Sequence, residues 1–188
     1  VFQLGGHGLF MSSGNSQMGR GEPIKDTARV MARYCDGVMI RTFGQEIVEE
    51  FAKFSDVPVI NGLTDLFHPC QIMADLLTVI EHKGTYEGLT FAWVGDGNNM
   101  ANTWIEAAAI FGFKLRLACP AGYEPDQKVM AWATARAPGL ISLTTDPKAA
   151  VAGADVINII YYRFRIASIS CCGSAGIIRI CTIPALNN

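Results

Sequence analysis

The chain has 188 residues, 50% of them hydrophobic and 17% charged, with a formal net charge of −2. That composition can bury a core and excludes compositional disorder, and the length fits one domain or two small ones. Fifteen basic residues against seventeen acidic ones leave no surplus for a nucleic-acid backbone and no polybasic block for a membrane surface.

In chain order, strands are predicted at Gly8–Met11, Gly37–Arg41, Val57–Asn61, Leu89–Gly95, Phe113–Cys119, Leu140–Thr144 and Asp155–Ile160, where short β-rich apolar runs recur. Between them, Pro23 opens a helix at its first position, with Ile24, Ala28, Met31 and Ala32 on one face. Further helices are predicted over Gln45–Phe54, from Pro69 to a stop at Gly84, and from about Asn99 to Gly112. The third carries Ile72, Leu76, Leu77, Val79 and Ile80 inward, and the fourth Trp104, Ala107, Ala108 and Phe111. Strands alternating with helices predict an α/β chain with parallel sheets flanked by helices. The polar, Gly-containing stretch Lys83-Gly84-Thr85-Tyr86-Glu87-Gly88 precedes a fresh strand-loop-helix unit, so the chain divides there.

The mean hydropathy is +0.25, yet no run of about 18 apolar residues reads as a bilayer span, and no signal-peptide pattern opens the chain. The six cysteines show neither zinc-type C-x-x-C spacing nor the density of a small disulfide scaffold, so a reducing cytoplasm is expected. His7, His68 and His82 lack ligand spacing, and no metal is expected. Val1 in place of Met, and an opening that reads like the end of an element, suggest a fragment. After Asp155 no Asp, Glu or Lys occurs, and the only charges are Arg163, Arg165 and Arg179. Such a tail reads as an out-of-frame or mis-spliced segment, expected to pack poorly.

Three places could carry chemistry. Arg41 ends a predicted strand, and His68-Pro69-Cys70-Gln71 enters a helix from a loop, at the carboxyl edge where open α/β sheets bind ligands. A guanidinium, an imidazole and an amide there could polarise a carbonyl and hold its substituents beside a helix N-terminus. The plainer alternative has His68 capping the helix, Cys70 packing and Arg41 in an ordinary ion pair. A Cys-His hydrolase is disfavoured, because side chains two residues apart at a helix start diverge and no third group orients the imidazole. Gly95-Asp96-Gly97-Asn98-Asn99-Met100 lacks the third Gly of a dinucleotide fingerprint, and the next strand ends in Cys119-Pro120 with no acidic residue for a ribose, so a nicotinamide cofactor is disfavoured. The turn either presents Asn98 and Asn99 to a cleft or uses Asn99 as a plain N-cap. The loop Gln17-Met18-Gly19-Arg20-Gly21-Glu22-Pro23, by itself, reads as a solvated connection.

Taken together, Gln17 to Arg29, Met39-Ile40-Arg41-Thr42, Val57 to Asp65, His68-Pro69-Cys70-Gln71 with Ala74-Asp75-Leu76, and Val94 to Met100 resemble the aspartate/ornithine carbamoyltransferase family over residues 1 to about 157. His-Pro-Cys-Gln and Gly-Asp-Gly-Asn-Asn favour its ornithine branch. The resemblance implies a carbamoyltransferase-like α/β fold of two domains, both incomplete here: residues 1–84 as the later part of a carbamoyl phosphate-binding domain, 85–158 as the earlier part of an ornithine-binding domain, and 159–188 as an aberrant tail. It implies carbamoyl phosphate and L-ornithine as substrates, citrulline and phosphate as products, no cofactor, and a homotrimer with sites at subunit contacts. Arg41 and His68 then match the groups that polarise the carbamoyl oxygen, and Gln71 the amide holding the carbamoyl nitrogen. Pro69 and Cys70 shape that loop, Gln17 is a further carbamoyl phosphate contact, and Asn99 is an ornithine contact. The family's Ser-Thr-Arg-Thr phosphate loop would precede Val1, and its Ser-Met-Gly and His-Cys-Leu-Pro motifs do not follow Asn158. The chain is therefore expected to be inactive alone, or else to be a non-catalytic carbamoyltransferase-like subunit.

Overall fold

Val94, Ala118 and Asn158 all lie on one parallel sheet, whose central strands are buried between helices. The structure, a computed structural model, describes residues 1–12, 21–160 and 178–182. It divides into two compact units, residues 1–62 and 63–188.

In the first unit, helix α1 (Ile24–Met31) and helix α2 (Gln45–Phe54) accompany a two-stranded sheet of β1 (Val38–Arg41) and β2 (Val59–Leu63). Pro23, with φ of −59°, stands just ahead of the first helical residue rather than within the helix. Ala28, Val48 and Phe51 are buried, and Arg29 lies over the Phe54 ring at 5.0 Å. On the predicted inner face of α1 only Ala28 is fully buried. A short 3-10 turn spans Phe2–Leu4, and residues 6–12 carry no regular structure, which corrects the strand expected at Gly8–Met11. Leu9 and Phe10 are exposed there. An apolar run with no neighbouring strand has no ladder for its backbone and no core for its side chains.

The second unit holds α3 (Pro69–Lys83), β3 (Thr90–Val94), α4 (Asn99–Phe111), β4 (Lys114–Ala118), α5 (Gln127–Arg136), β5 (Ile141–Thr144), α6 (Pro147–Val151), β6 (Val156–Ile160) and β7 (Ile178–Thr182). Its sheet order is β5-β4-β3-β6-β7, with every pair parallel. Alternation along each strand sorts side chains onto two faces. Phe91, Trp93, Leu115, Leu117 and Val156 pack on one side with Ile72, Leu76 and Val79 of α3 and Trp104, Ile105 and Ala108 of α4. Ala92, Val94, Ala118 and Ile157 meet Ala150 and Val151 of α6 on the other. Phe91 stacks against Phe113 and Trp104 with ring centroids 4.3 and 5.3 Å apart. Each such side chain contributes about 1.5–3 kcal/mol by leaving water.

Helix ends follow local chemistry. Asn98, not Asn99, caps α4, its side-chain oxygen accepting from the N–H groups of Met100 and Ala101. Gly84 ends α3 at φ of 81°, a left-handed position that glycine takes without strain. On α3 and α4, Leu77, Ile80 and Phe111 stand exposed rather than facing the core as expected.

The packing division at Gly62 precedes the Lys83–Gly88 stretch, because the inner stripe of α3 buries itself against α4 and β3. Part of the tail also departs from expectation. Residues 178–182 form β7, in register beside β6 with Val156 opposite Ile178 and Ile160 opposite Thr182. The remainder of the expected aberrant segment, 161–177 and 183–188, lies outside the described residues.

Candidate active site

The connection from β3 runs to β4 on one side of the sheet, and the chain later returns to lay β6 on the other side of β3. Adjacent parallel strands whose onward connections part in this way mark the crevice where α/β sheets bind ligands, at their carboxyl ends. Two segments of the second unit are held here: the turn 95–98, which leads into α4, and the loop Thr64–His68, which leads into α3.

The loop is built around a buried threonine. The Thr64 N–H donates to the Phe67 carbonyl at 2.8 Å, and its hydroxyl both accepts from the Phe67 N–H at 3.0 Å and donates to the Phe67 carbonyl. Three side chains of the first turns of α4 then fasten it. Asn99 Nδ2 donates to the Thr64 carbonyl at 3.1 Å, Asn102 Nδ2 to the Leu66 carbonyl at 3.3 Å, and the His68 N–H donates to Thr103 Oγ1 at 2.8 Å. The Thr103 hydroxyl in turn donates to the Asn99 carbonyl at 2.6 Å. Asn102 also accepts from the Asp126 N–H at 3.0 Å, tying the start of α5 into the same arrangement. Gly97 is required where the backbone of Glu124 and Pro125 passes so close that any Cβ would overlap it, and its N–H donates to the Tyr123 carbonyl.

His68 sits at the N-cap of α3 without a side-chain capping bond, so the plain capping role considered for it is not observed. Pro69 occupies the first helical position and Cys70 is half-buried. Gln71, one turn in, donates from Nε2 to Asp75 Oδ1 at 2.9 Å. Asp75 is buried, and its Oδ2 accepts from Asn158 Nδ2 at 3.3 Å across to β6. Burial raises the Asp75 carboxyl above the ordinary range, while the two amide donors pull it back down. Cys119, at the end of β4, is pushed up to about 12 by burial and by the negative charges of Asp96 and Glu124.

The structure therefore joins His68 and Asn99 through the loop and Thr103, while Gln71, one turn into α3, is held by its side chain to Asp75. Arg41 ends β1 in the other unit, exposed, and forms no ion pair among the described residues. Gln17 lies outside the described residues. Among the described residues no cluster of three or more His, Cys, Asp or Glu could hold a metal ion, and no helix is long and apolar enough to cross a membrane.

Asp75, Asn102, Thr103 and Asn158 received no role from the sequence. For Asp75 a signal existed: at positions 72, 75, 76 and 79 a carboxylate shares the helical stripe of Ile72, Leu76 and Val79.

Residues 1–81 match the family model described as the aspartate/ornithine carbamoyltransferase carbamoyl-P binding domain, and residues 87–162 match that family's Asp/Orn binding domain. The ornithine carbamoyltransferase of Pelobacter propionicus is 78% identical over 158 residues, covering 84% of this chain and 52% of that protein. That of Geobacter sulfurreducens is 77% identical over the same span. Among solved structures, the ornithine carbamoyltransferase of Pyrococcus furiosus superposes with a TM-score of 0.78 at 46% identity, covering 86% of this chain and 52% of that one. The Burkholderia thailandensis enzyme gives 0.77 at 50% identity, covering 85% and 54%. The chain spans about half the length of the curated relatives it matches. With both of its domain models matched in order and the fold shared, the chain belongs to the aspartate/ornithine carbamoyltransferase family.

Proposed function

We propose that this chain carries part of an ornithine carbamoyltransferase site, binding carbamoyl phosphate through Gln17, Arg41, His68, Pro69, Cys70 and Gln71 and L-ornithine through Asn99. In the reaction, the side-chain amine of ornithine attacks the carbonyl carbon of carbamoyl phosphate. The new N–C bond forms a tetrahedral intermediate, the C–O bond to phosphate breaks, the amine nitrogen gives up a proton, and citrulline and phosphate result. No cofactor or metal ion takes part in these steps.

The observation that carries this reading is the fastening of the Thr64–His68 loop by Asn99, Asn102 and Thr103. It holds His68 and the start of α3 against the very turn that bears Asn99. Fixed donors matter because negative charge grows on the carbamoyl oxygen as the amine attacks, and one preorganised donor there is worth about 3 kcal/mol. The Arg41 guanidinium and the His68 imidazole supply those donors, and the Gln71 carboxamide holds the carbamoyl nitrogen. Asn99 uses Nδ2 on the loop, which leaves Oδ1 to accept from the ammonium of the amino acid.

The family-model intervals, 1–81 and 87–162, lie either side of Lys83–Gly88 and support 1–84 as the carbamoyl phosphate part and 85–158 as the ornithine part. The same reading places the chain in arginine metabolism in the cytoplasm, in a homotrimer with its sites at subunit contacts.

Isothermal titration of the 188-residue chain with carbamoyl phosphate tests it. Saturable binding is expected, weakened by about tenfold or more in His68→Ala and in Gln71→Ala, as loss of one charge-assisted or well-placed hydrogen bond requires. No binding, or equal binding by all three chains, overturns the reading.

A further inference from the structure

Asp75 is only 4% exposed, and it is a carboxylate without a cation: among the described residues its oxygens meet two neutral amides, Gln71 Nε2 and Asn158 Nδ2. A buried carboxylate in such company is costly, and an apolar or amide side chain would serve the core at least as well. Asn158 shows the same cost from the other side, since its Oδ1 is buried with no hydrogen-bond partner among the described residues while its Nδ2 is turned to Asp75.

The arrangement makes chemical sense through Gln71. A carboxamide has a donor end and an acceptor end, and solvent or a neutral neighbour can accept either orientation. An ionised carboxylate only accepts, so it pairs with the NH2 end alone. With Nε2 held by Asp75 at 2.9 Å, the end of the carboxamide left for another partner is Oε1, which can only accept. A carbamoyl group presents an NH2 that needs an acceptor. An acetyl group of the same shape presents a methyl that does not.

We infer that Asp75 is a positioning residue that fixes the Gln71 carboxamide with its oxygen toward the ligand, and so makes the site select carbamoyl phosphate over acyl phosphates. The inference rests on the reading above that Gln71 holds the carbamoyl nitrogen. Asn158 completes the device by holding the second carboxylate oxygen from β6, which stops the Asp75 side chain from turning off Gln71.

The test compares carbamoyl phosphate with acetyl phosphate by calorimetry, on the unsubstituted 188-residue chain, on Asp75→Asn and on Gln71→Ala. An asparagine at 75 can offer its own NH2 to Gln71 Oε1 and let the carboxamide reverse. The unsubstituted chain is expected to prefer carbamoyl phosphate by about tenfold or more, since a site built to pair an N–H rejects the analogue without one. In Asp75→Asn that preference collapses toward unity, through loss of carbamoyl phosphate affinity with acetyl phosphate affinity kept. An undiminished preference in Asp75→Asn, or a proportional loss of both ligands, overturns the inference while leaving Gln71 in place. A preference that survives Gln71→Ala, or no binding of either phosphate, removes the reading on which it rests and the inference with it. A second measurement needs no variant: by NMR, the Gln71 side-chain amide of the unsubstituted chain should exchange its protons with solvent at least about tenfold more slowly than exposed glutamine amides. Exchange at the exposed rate overturns the inference even if Asp75→Asn fails to fold.

Discussion

At the scale of single residues, Asp75 and Cys119 share burial as the first cause of their raised values and have opposite kinds of neighbour as the second. Asp75 is relieved by amide donors, whereas Cys119 is pushed further by the carboxylates of Asp96 and Glu124. With its thiol near 12, Cys119 holds almost no thiolate at pH 8. Iodoacetamide at that pH is expected to leave it unmodified in the native chain and to label it only after denaturation, read by peptide mass spectrometry. Native labelling of Cys119 at the rate of the half-buried Cys70 would contradict the structure. For Asp75 the linkage has a definite sign. Its folded carboxyl lies above the ordinary value of 3.8, so as pH rises from that value the unfolded chain loses its proton first and the folded state loses stability until the raised value is passed. Asp75→Asn removes this dependence. The Tm of the variant minus that of the parent should therefore increase as pH rises from 3.8, whatever constant offset the lost hydrogen bonds add. A difference that is flat or falls with pH would show that the carboxyl is not raised. Neither property was legible in composition, since both arise from what the fold packs around the group; only the place of Asp75 on the apolar stripe of α3 hinted at it.

Among the elements, the strongly patterned ones were readable and the weakly patterned ones were not. Helix α2 falls on Gln45–Phe54 as expected, and α3 starts at Pro69 and stops at Gly84, because a fixed φ and a left-handed glycine mark those ends. Helices α5 and α6 were missed: α5 buries only Val129 and Ala133 and leaves Trp132 half-exposed, so no apolar stripe announces it. Strand β2 begins at Val59, two residues later than expected, after Ser55 and Val57 close a turn. The start of α4 determines the shape of the loop Thr64–His68. Thr103 accepts from the His68 N–H and donates to the Asn99 carbonyl. Thr103→Val keeps the volume and removes both, leaving a partly buried donor unpaired, so it should cost about 1–3 kcal/mol in urea unfolding. Ser at the same position should recover most of that. Equal stability of the Val and Ser variants would show that the hydroxyl does not hold the loop.

For the whole molecule, alternation of strands and helices was enough to foresee parallel sheets covered by helices, but not the strand order. Nothing local in Val156–Ile160 says that it returns beside β3 instead of extending the edge at β5; that choice follows from which faces of the sheet α3, α4 and α6 can cover together. The same return creates the crevice beside which Asn158, Asp75 and Gln71 are linked. Ile178–Thr182, in the tail expected to pack poorly because its pattern does not continue the alternation before it, pairs in parallel with β6 at the edge of the sheet. The proposal that carbamoyl phosphate binds here draws on the loop Thr64–His68 being held by Asn99, Asn102 and Thr103. The most direct measurement is a titration of the 188-residue chain with 13C-labelled carbamoyl phosphate, following the carbonyl carbon by NMR. The account predicts a saturable shift of that resonance whose midpoint needs about tenfold more ligand in His68→Ala, and a carbonyl resonance that never moves would contradict it.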